Sequence, residues 1–318
     1  MNRRTLLTAT TCLLAGLCVT PAWAQQKAVR IIVAFAPGGP VDSVARVIAG
    51  ALGEALGRTV IVENKPGANG VLGAQDVLRA PADGATLWLT SVGAAAINTS
   101  LYDHLPYDMT RDFAPVSLVV NNVEVLVVNA DNKAKTASEF VASAKAAKDT
   151  PMASSGVGSV PHLAVEQLGR ATGATFLHVP YKGAAPALTD LMGGRVDGFF
   201  GDVPGLLGFV KSGRLRAIGV AAMHRQPALP DVPTFQEQGL AGVDTNNWYA
   251  IFVNAKTSPE VVANLNQAIG TALKASADKL LAMGTEPAPS TPAELAALLK
   301  SDIEKWGALI KEKGIKGE

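Results

Sequence analysis

AFAPGGPVDSVARVIAGAL, residues 34–52, joins an apolar run to a helical pattern with only a short corner between them. The largely apolar residues 29–35 predict a buried strand, and apolar positions spaced by three or four from residue 41 onward predict an amphipathic helix. Gly38 and Gly39 lie at the corner, where the missing Cβ lets a backbone come close to a ligand. The stretch therefore predicts a strand–corner–helix unit with a candidate binding loop.

The same alternation of short apolar segments and helical patterns continues along the chain. Further strands are predicted at residues 59–63, 86–90, 113–119, 123–129, 151–154, 175–179, 198–200, 215–220 and 248–253. Further helices are predicted at residues 71–78, 137–147, 161–169, 185–192, 258–275 and 291–312. The last two helices each open with a Ser-Pro or Thr-Pro cap signal. Strands that alternate with helices predict parallel sheets covered by helices on both faces.

The fold class predicted from this order is α/β with two lobes. Residues 25–125 and 253–318 are assigned to the first lobe and residues 126–252 to the second, because the closing helices pack most economically on the first unit. A chain that leaves one lobe and returns to it crosses at least twice, which suits a hinge. The predicted arrangement is the type II periplasmic-binding-protein fold, or Venus flytrap, with a cleft between the domains.

The first 24 residues have the pattern of a secretory signal peptide. Arg3 and Arg4 give a basic start, residues 6–19 are apolar but too short for a membrane anchor, and an Ala-Trp-Ala cleavage signal ends at Ala24. We expect cleavage after Ala24 and export to the periplasm, with an uncleaved anchor as the alternative. The arginine pair leaves the general and the twin-arginine export routes both open.

Charge and cysteine content exclude several functional classes for the chain after cleavage. Of 28 basic residues, 26 remain against 27 acidic residues, a net charge of −1 that gives no electrostatic reason to bind nucleic acid or a membrane. Both cysteines, Cys12 and Cys18, lie in the leader, so disulfides, thiol catalysis and cysteine–metal sites are excluded. We expect an exported, soluble monomer.

The corner at Gly38-Gly39 is a candidate anion site. Unpaired N–H groups and the dipole at a helix start attract negative charge. The corner has neither the Lys-Ser/Thr of a P-loop nor the pattern G-x-G-x-x-G, so nucleotide binding is not predicted. The alternative is a tight structural turn with Pro40 at the first helical position. Asp42 suits a helix start but would repel an acid unless it points away from the ligand.

Three later loops offer similar chemistry. The SSGVGS loop opens a helix, where Ser159 either caps the helix or donates to a ligand, and His162 follows in the first turn. Thr90 and Ser91 supply hydroxyls at another corner, which a plain small-residue turn would also explain. Asp202 ends a strand and either caps the next helix or binds an amino or hydroxyl group.

An enzyme is the main alternative to a binding protein. Ser159 and His162 lie within one helical turn, which would suit a serine hydrolase. The sequence, however, contains no G-x-S-x-G elbow, and the pair would still need an orienting acid. The four histidines have no metal-binding spacing. We therefore predict no catalytic residue, no cofactor and no metal site.

Several motifs in order give the chain a specific resemblance. They are FAPGGPVDSVAR, ENKPGANGVLGA, SLYDHLPYDMTRDFAPVSLV, SSGVGSVPHLAVEQL, VPYKGAAPALTDLMGGRVDGFF, LRAIGVAAMHRQPALPDVPTFQEQG and the tryptophan at 248. Together they resemble the Bug family of periplasmic receptors, the TctC-like substrate-binding components of tripartite tricarboxylate transporters. The resemblance covers essentially the whole chain after the leader.

The resemblance implies a receptor that closes around a small carboxylate and delivers it to the permease subunits of such a transporter. The ligand would be a mono- or dicarboxylate, including an amino acid or an aromatic acid, held by backbone amides, hydroxyls and water. An orphan receptor that signals to a membrane sensor stays open. Carried onto this chain, the ligand-binding residues are Phe35, Ala36, Gly38, Gly39, Thr90, Ser91, Ala95, Ser155, Gly156, Gly158, Ser159, His162, Tyr181 and Asp202.

Overall fold

The computed structural model describes residues 27–317, so the predicted signal peptide and its cleavage after Ala24 lie outside the described residues. The strands are β1 Val29–Val33, β2 Val60–Asn64, β3 Thr86–Ser91, β4 Phe113–Asn121, β5 Glu124–Asn129, β6 Thr150–Ser154, β7 Phe176–Pro180, β8 Gly198–Asp202, β9 Leu215–Val220, β10 Tyr249–Asn254 and β11 Glu286–Pro287. The α-helices are α1 Pro40–Leu56, α2 Val71–Arg79, α3 Asn98–Leu101, α4 Met109–Asp112, α5 Ala137–Ala147, α6 Val160–Thr172, α7 Ala184–Met192, α8 Val203–Lys211, α9 Pro259–Ala282 and α10 Pro292–Lys313.

The strands and helices predicted from the sequence are all present, with small shifts at their ends. The main difference is α9, which continues to Ala282 rather than ending near residue 275. The predicted cap signals of the two closing helices are confirmed, since Ser258 accepts from the Val261 N–H and Thr291 forms a capping box with Glu294. Within residues 27–317, none of the helices combines the length and the apolar character of a membrane span.

The strands form two mixed sheets. The first sheet has the order β11-β4-β10-β3-β1-β2, and the second has the order β7-β6-β8-β5-β9. Parallel pairing, as predicted, joins β1 to β2 and β3 and joins β6 to β7 and β8. The expectation of wholly parallel sheets is wrong for β5, β10 and the short edge strand β11, which run antiparallel to their neighbours. β5 and β10 each follow a crossing between the sheets, without the crossover helix that parallel neighbours need.

We call each sheet with the helices packed on it a lobe. The chain leaves the first lobe after β4 and enters the second at β5, and it returns between β9 and β10. The predicted boundaries at residues 125 and 252 both fall inside a strand, because β5 belongs wholly to the second sheet and β10 wholly to the first. The two crossings lie side by side, since Asn247 N–H donates to Asn122 O at 2.7 Å.

Alternating side chains give the first sheet a buried face on each side. Ile31 packs with Ile48 of α1 and Ile269 of α9, whereas Ile32 packs with Trp88 and with helices α2 and α10 on the other face. Helix α10 also contacts helix α6 of the second lobe through two ion pairs. Glu312 of α10 pairs with Arg170 of α6, and Lys313 of α10 pairs with Glu166 of α6. The closing helices therefore support the first sheet and join the lobes along one side.

Candidate functional site

A cavity of about 360 Å³ lies between the two lobes. Both lobes and the crossing segments contribute to its lining, which consists of Phe35, Pro40, Val41, Asn69, Ser91, Glu124, Ser155, Ser159, Pro161, Gly183, Ala184, Leu188, Phe199, Gly201, Asp202, Gly205, Leu206, Asn247 and Tyr249. Five of the residues predicted from the sequence are in this set: Phe35, Ser91, Ser155, Ser159 and Asp202. The cavity thus brings together predicted residues that lie up to 167 positions apart in the sequence, from Phe35 to Asp202.

Nine of the predicted residues lie outside the lining, namely Ala36, Gly38, Gly39, Thr90, Ala95, Gly156, Gly158, His162 and Tyr181. Thr90 and Ala95 are fully buried, and strand alternation puts Thr90 on the face of β3 opposite Ser91. The Tyr181 hydroxyl donates to Asp190 at 2.8 Å, and neither of these two residues belongs to the lining. Five of the other six lie in the loops that lead into α1 and α6, and His162 lies in the first turn of α6.

Asp42 holds the first loop in place. Its carboxylate accepts from the Gly38 N–H at 2.9 Å, from Asn64 Nδ2 at 2.8 Å and from Arg46 Nε at 2.9 Å. Burial acts to raise the pKa of Asp42, but these three donors outweigh it and lower the pKa. The Gly39 N–H is also used, because it donates to Ala36 O at 3.3 Å. The two glycine amides are therefore bonded within the loop, and Asp42 faces that loop.

The second loop is stabilised by its own serines and by two histidines. Ser159 donates to Gly156 O at 2.7 Å and accepts from the His162 backbone N–H at 3.4 Å, so it is the N-cap of α6. The Gly158 N–H donates to His162 Nδ1 at 3.1 Å. The hydroxyl of Ser154 lies 2.6 Å from His178 Nε2. Ser159 Oγ therefore accepts from the backbone N–H of His162 and makes no hydrogen bond with its ring. A catalytic serine would instead need a hydrogen bond to the ring nitrogen of its base.

His162 and His178 stack with their ring centroids 3.6 Å apart. Burial and the neighbouring His178 lower the pKa of His162 to about 3, and burial lowers the pKa of His178 to about 4. Glu166 is 3.8 Å from His162 Nε2, too far for a hydrogen bond, and it pairs with Lys313. Both rings are therefore neutral at pH 7.

Acid is expected to destabilise the protein partly through this histidine pair. In the unfolded chain the histidines take up protons as the pH falls through about 6.5, whereas in the folded chain they do so only near 4 and 3. As the pH falls from 7 to 4, His162 alone should lower the free energy of unfolding by on the order of 3 kcal/mol. His162→Asn keeps an acceptor for the Gly158 N–H and should flatten the fall in Tm over this range. The exposed control His224→Asn should leave the fall unchanged, and equal slopes for His162→Asn and wild type would contradict the assignment.

The lining also contains a buried acidic cluster at the crossings between the lobes. Asp202 accepts from Asn247 Nδ2 at 2.8 Å and from the Tyr249 hydroxyl at 2.8 Å. Glu124 stands opposite Asp202 across the β5–β8 pair and accepts from Asn247 Nδ2 at 3.4 Å. Burial, and then the neighbouring Asp202, raises the pKa of Glu124 well above its usual value. Burial also raises the pKa of Asp202, so both carboxyls of this pair are shifted toward the neutral form.

Glu124, Asn247 and Tyr249 were not predicted as site residues from the sequence. One available signal was the single acid in the otherwise apolar run VEVLVV, residues 123–128, because an unpaired charge is costly in a buried strand. Asn247 and Tyr249 carried no such signal. They join the cluster only because the returning segment lies beside the ends of β5 and β8.

Four helix N-termini meet at the cavity. Helix α1 contributes Pro40 and Val41, α6 contributes its cap Ser159, α7 its cap Gly183, and α8 its cap Asp202. Each helix start directs a partial positive charge toward this space, and at α6 the cap Ser159 already accepts from the His162 N–H. The described lining contains no Lys, Arg or His. Helix dipoles are therefore the source of positive charge in the described lining, which also contains the acids Glu124 and Asp202, the latter at the N-cap position of α8.

Residues 27–317 contain no group of three histidine, cysteine or acidic side chains arranged to hold a metal ion.

The chain matches the family model described as tripartite tricarboxylate transporter family receptor over residues 44–315. Among curated relatives, the protein BugT of Bordetella pertussis is 35% identical over 294 residues, which cover 91% of this chain and 90% of BugT.

Solved structures give the same result. The periplasmic binding protein BugD is 32% identical, with a TM-score of 0.81 over 92% of this chain and 99% of BugD. Rpa4515 of R. palustris with adipate is 30% identical, with a TM-score of 0.83 over 91% of this chain and 98% of that one. MatC of Rhodopseudomonas palustris with bound malate is 31% identical, with a TM-score of 0.77 over 89% of this chain and 98% of MatC. The chain therefore belongs to the receptor family of the tripartite tricarboxylate transporters, a family of solute-binding proteins rather than of enzymes.

Proposed function

We propose that this protein is an exported receptor that captures a small carboxylate in the cavity between its lobes and delivers it to the permease subunits of a tripartite tricarboxylate transporter. The observation that carries the proposal is the convergence of the N-termini of α1, α6, α7 and α8 on one cavity between the lobes. Such helix starts bind anions without a cationic side chain. The adipate and malate in the two R. palustris structures are anions of this class.

The carboxylate is proposed to lie between the two strand-to-helix corners, one from each lobe. Phe35 and Ser91 face it from the first lobe, and Ser155 and Ser159 face it from the second. The hydroxyls of Ser91 and Ser155, helix amides and bridging water supply its hydrogen bonds, while Ser159 caps α6. Because the site needs both corners, ligand binding favours the closed arrangement of the lobes, as in a hinge-closing receptor.

A thermal-shift panel tests the binding function. Protein stripped of ligand by unfolding and refolding is mixed with mono-, di- and tricarboxylates and with amino acids. A ligand at 100 times its Kd should stabilise the protein by about 2.7 kcal/mol and raise Tm by roughly 5 °C. Matched amines and alcohols without a carboxylate should leave Tm unchanged. If no carboxylate raises Tm, the receptor function is wrong. Uptake of the bound acid by a strain lacking the protein then tests delivery, since a signalling receptor would leave uptake intact.

A further inference from the structure

Half of the side chains in the lining that carry an amide or hydroxyl donor already donate to protein acceptors. These are the Tyr249 hydroxyl with Asp202, Asn247 Nδ2 with Asp202 and Glu124, and the Ser159 hydroxyl with Gly156 O. Among the described residues of the lining, Ser91, Ser155 and Asn69 keep a hydrogen that no protein acceptor uses. Asn69 is not among the residues predicted from the sequence.

Asn69 is held from two sides by Asn98. Its Nδ2 donates to Asn98 Oδ1 at 2.7 Å, and its backbone carbonyl accepts from Asn98 Nδ2 at 2.9 Å. Asn98 is fully buried at the start of α3. Because Nδ2 carries two hydrogens, the first bond fixes the plane of the Asn69 carboxamide and gives the second hydrogen a set direction.

The backbone around Asn69 has an uncommon conformation. Residues 67–70 all have positive φ, and two of them, Ala68 and Asn69, are not glycine and have φ 46°. Asparagine enters this left-handed region more readily than most residues, but such a conformation persists only where the surrounding contacts fix it. The two bonds to Asn98 are contacts of this kind.

This loop places the Asn69 carboxamide near Ser91. The position that a Cβ of Gly93 would occupy is 3.4 Å from Ser91 Oγ and 4.0 Å from Asn69 Nδ2. Two of the three unused donors of the lining therefore border the same space in the first lobe, and Ser155 supplies the third from the second lobe.

We propose that Asn69 donates its second Nδ2 hydrogen to the carboxylate of the bound ligand, next to Ser91, and that Asn98 is the positioning residue that fixes this donor. The proposal rests on the proposed carboxylate-binding function and adds a third side-chain donor to it. The described lining contains no Lys, Arg or His, so each such donor accounts for a large share of the affinity. Hydrogen bonds to a charged acceptor are also stronger than those between neutral groups.

Asn69→Gly tests the contact with the ligand, because glycine adopts the same backbone conformation without strain and removes the carboxamide. Calorimetry on ligand-stripped protein first finds the tightest ligand of the wild type in a panel of mono-, di- and tricarboxylates and amino acids of two to seven carbons. For that ligand, Asn69→Gly should raise Kd ten- to a hundredfold. Asp149→Gly, at another non-glycine residue of positive φ outside the lining, should leave Kd unchanged.

A double variant tests the positioning role of Asn98. Asn98→Ala should raise Kd by less than Asn69→Gly does, and Asn69→Gly with Asn98→Ala should bind no more weakly than Asn69→Gly alone, because Asn98 acts through Asn69. A residue with a general structural role would instead weaken binding to the same extent in both backgrounds, which would contradict the positioning role. If Asn98→Ala does not fold, Asn69→Gly decides the inference.

Two results would overturn the contact between Asn69 and the ligand. Equal rises in Kd for Asn69→Gly and Asn98→Ala would show that Asn69 acts only by holding the loop. A wild-type Kd in Asn69→Gly would show that Asn69 only turns the chain. Either result leaves the receptor function standing, whereas absence of wild-type binding across the whole panel overturns both.

Discussion

Replacing Ser155 with aspartate is expected to abolish carboxylate binding while leaving the fold intact. Ser155 lines the cavity in the loop that leads into α6, and its carbonyl accepts from the Gly183 N–H at the start of α7. The carboxylate of the new aspartate would interact with the same helix N-termini that the ligand carboxylate uses. It would also repel the ligand by like charge. The expected increase in Kd is at least 100-fold, or about 2.7 kcal/mol, measured by calorimetry on ligand-stripped protein.

Ser155→Asn is the matched control, because asparagine has nearly the shape of aspartate without its charge. We expect this control to change Kd by less than tenfold, and both variants should keep a Tm within a few degrees of the wild type. If Ser155→Asp and Ser155→Asn weaken binding equally, the effect is steric, and the anion site does not lie at this corner.

Replacing Gly158 with alanine is expected to weaken ligand binding by keeping the lobes apart. Gly158 has φ +72°, and a Cβ placed there would clash with the Leu101 side chain at Cδ2. Gly158 is in the loop before α6 of the second lobe, whereas Leu101 ends α3 beside the first sheet. The added methyl group must therefore push the lobes apart or displace a packed leucine. We expect at least a tenfold rise in Kd and a lower Tm.

The same chain offers a control for backbone strain. Gly173, at the other end of α6, also has φ +72°, but a Cβ there would meet no atom within 4 Å. Gly173→Ala should thus show the cost of the positive φ alone, about 1 kcal/mol, with no change in Kd. Leu101→Ala in the Gly158→Ala background makes room for the methyl group and should recover part of the affinity. Equal effects of Gly158→Ala and Gly173→Ala would show that contact between the lobes does not control binding.

Most of the fold could be predicted because strand and helix signals are local. The corner at Gly38-Gly39, the cap signals at Ser258 and Thr291 and the alternation of apolar segments are all properties of neighbouring residues. The direction of β10 could not be predicted this way. It depends on where the chain re-enters the first sheet, and no local pattern encodes that position.

The site was predictable only in part for the same reason. The hydroxyls of Ser91, Ser155 and Ser159 stand at helix starts, which the sequence marks, and the structure places all three in the lining. The glycine amides of the first loop were expected to contact the ligand, but Asp42 and Ala36 accept them instead. Those bonds depend on side-chain directions that the sequence does not reveal.

The central claim is that the cavity between the lobes holds a small carboxylate. Native mass spectrometry of the protein as purified tests it most directly, because closed receptors of this kind can retain their ligand, and the released molecule can then be identified. We predict that wild-type protein carries an added small mass that is lost on denaturation and proves to be a carboxylate. The Ser155→Asp variant should carry none. A retained ligand without a carboxylate, or one kept equally by Ser155→Asp, would contradict this account of the site.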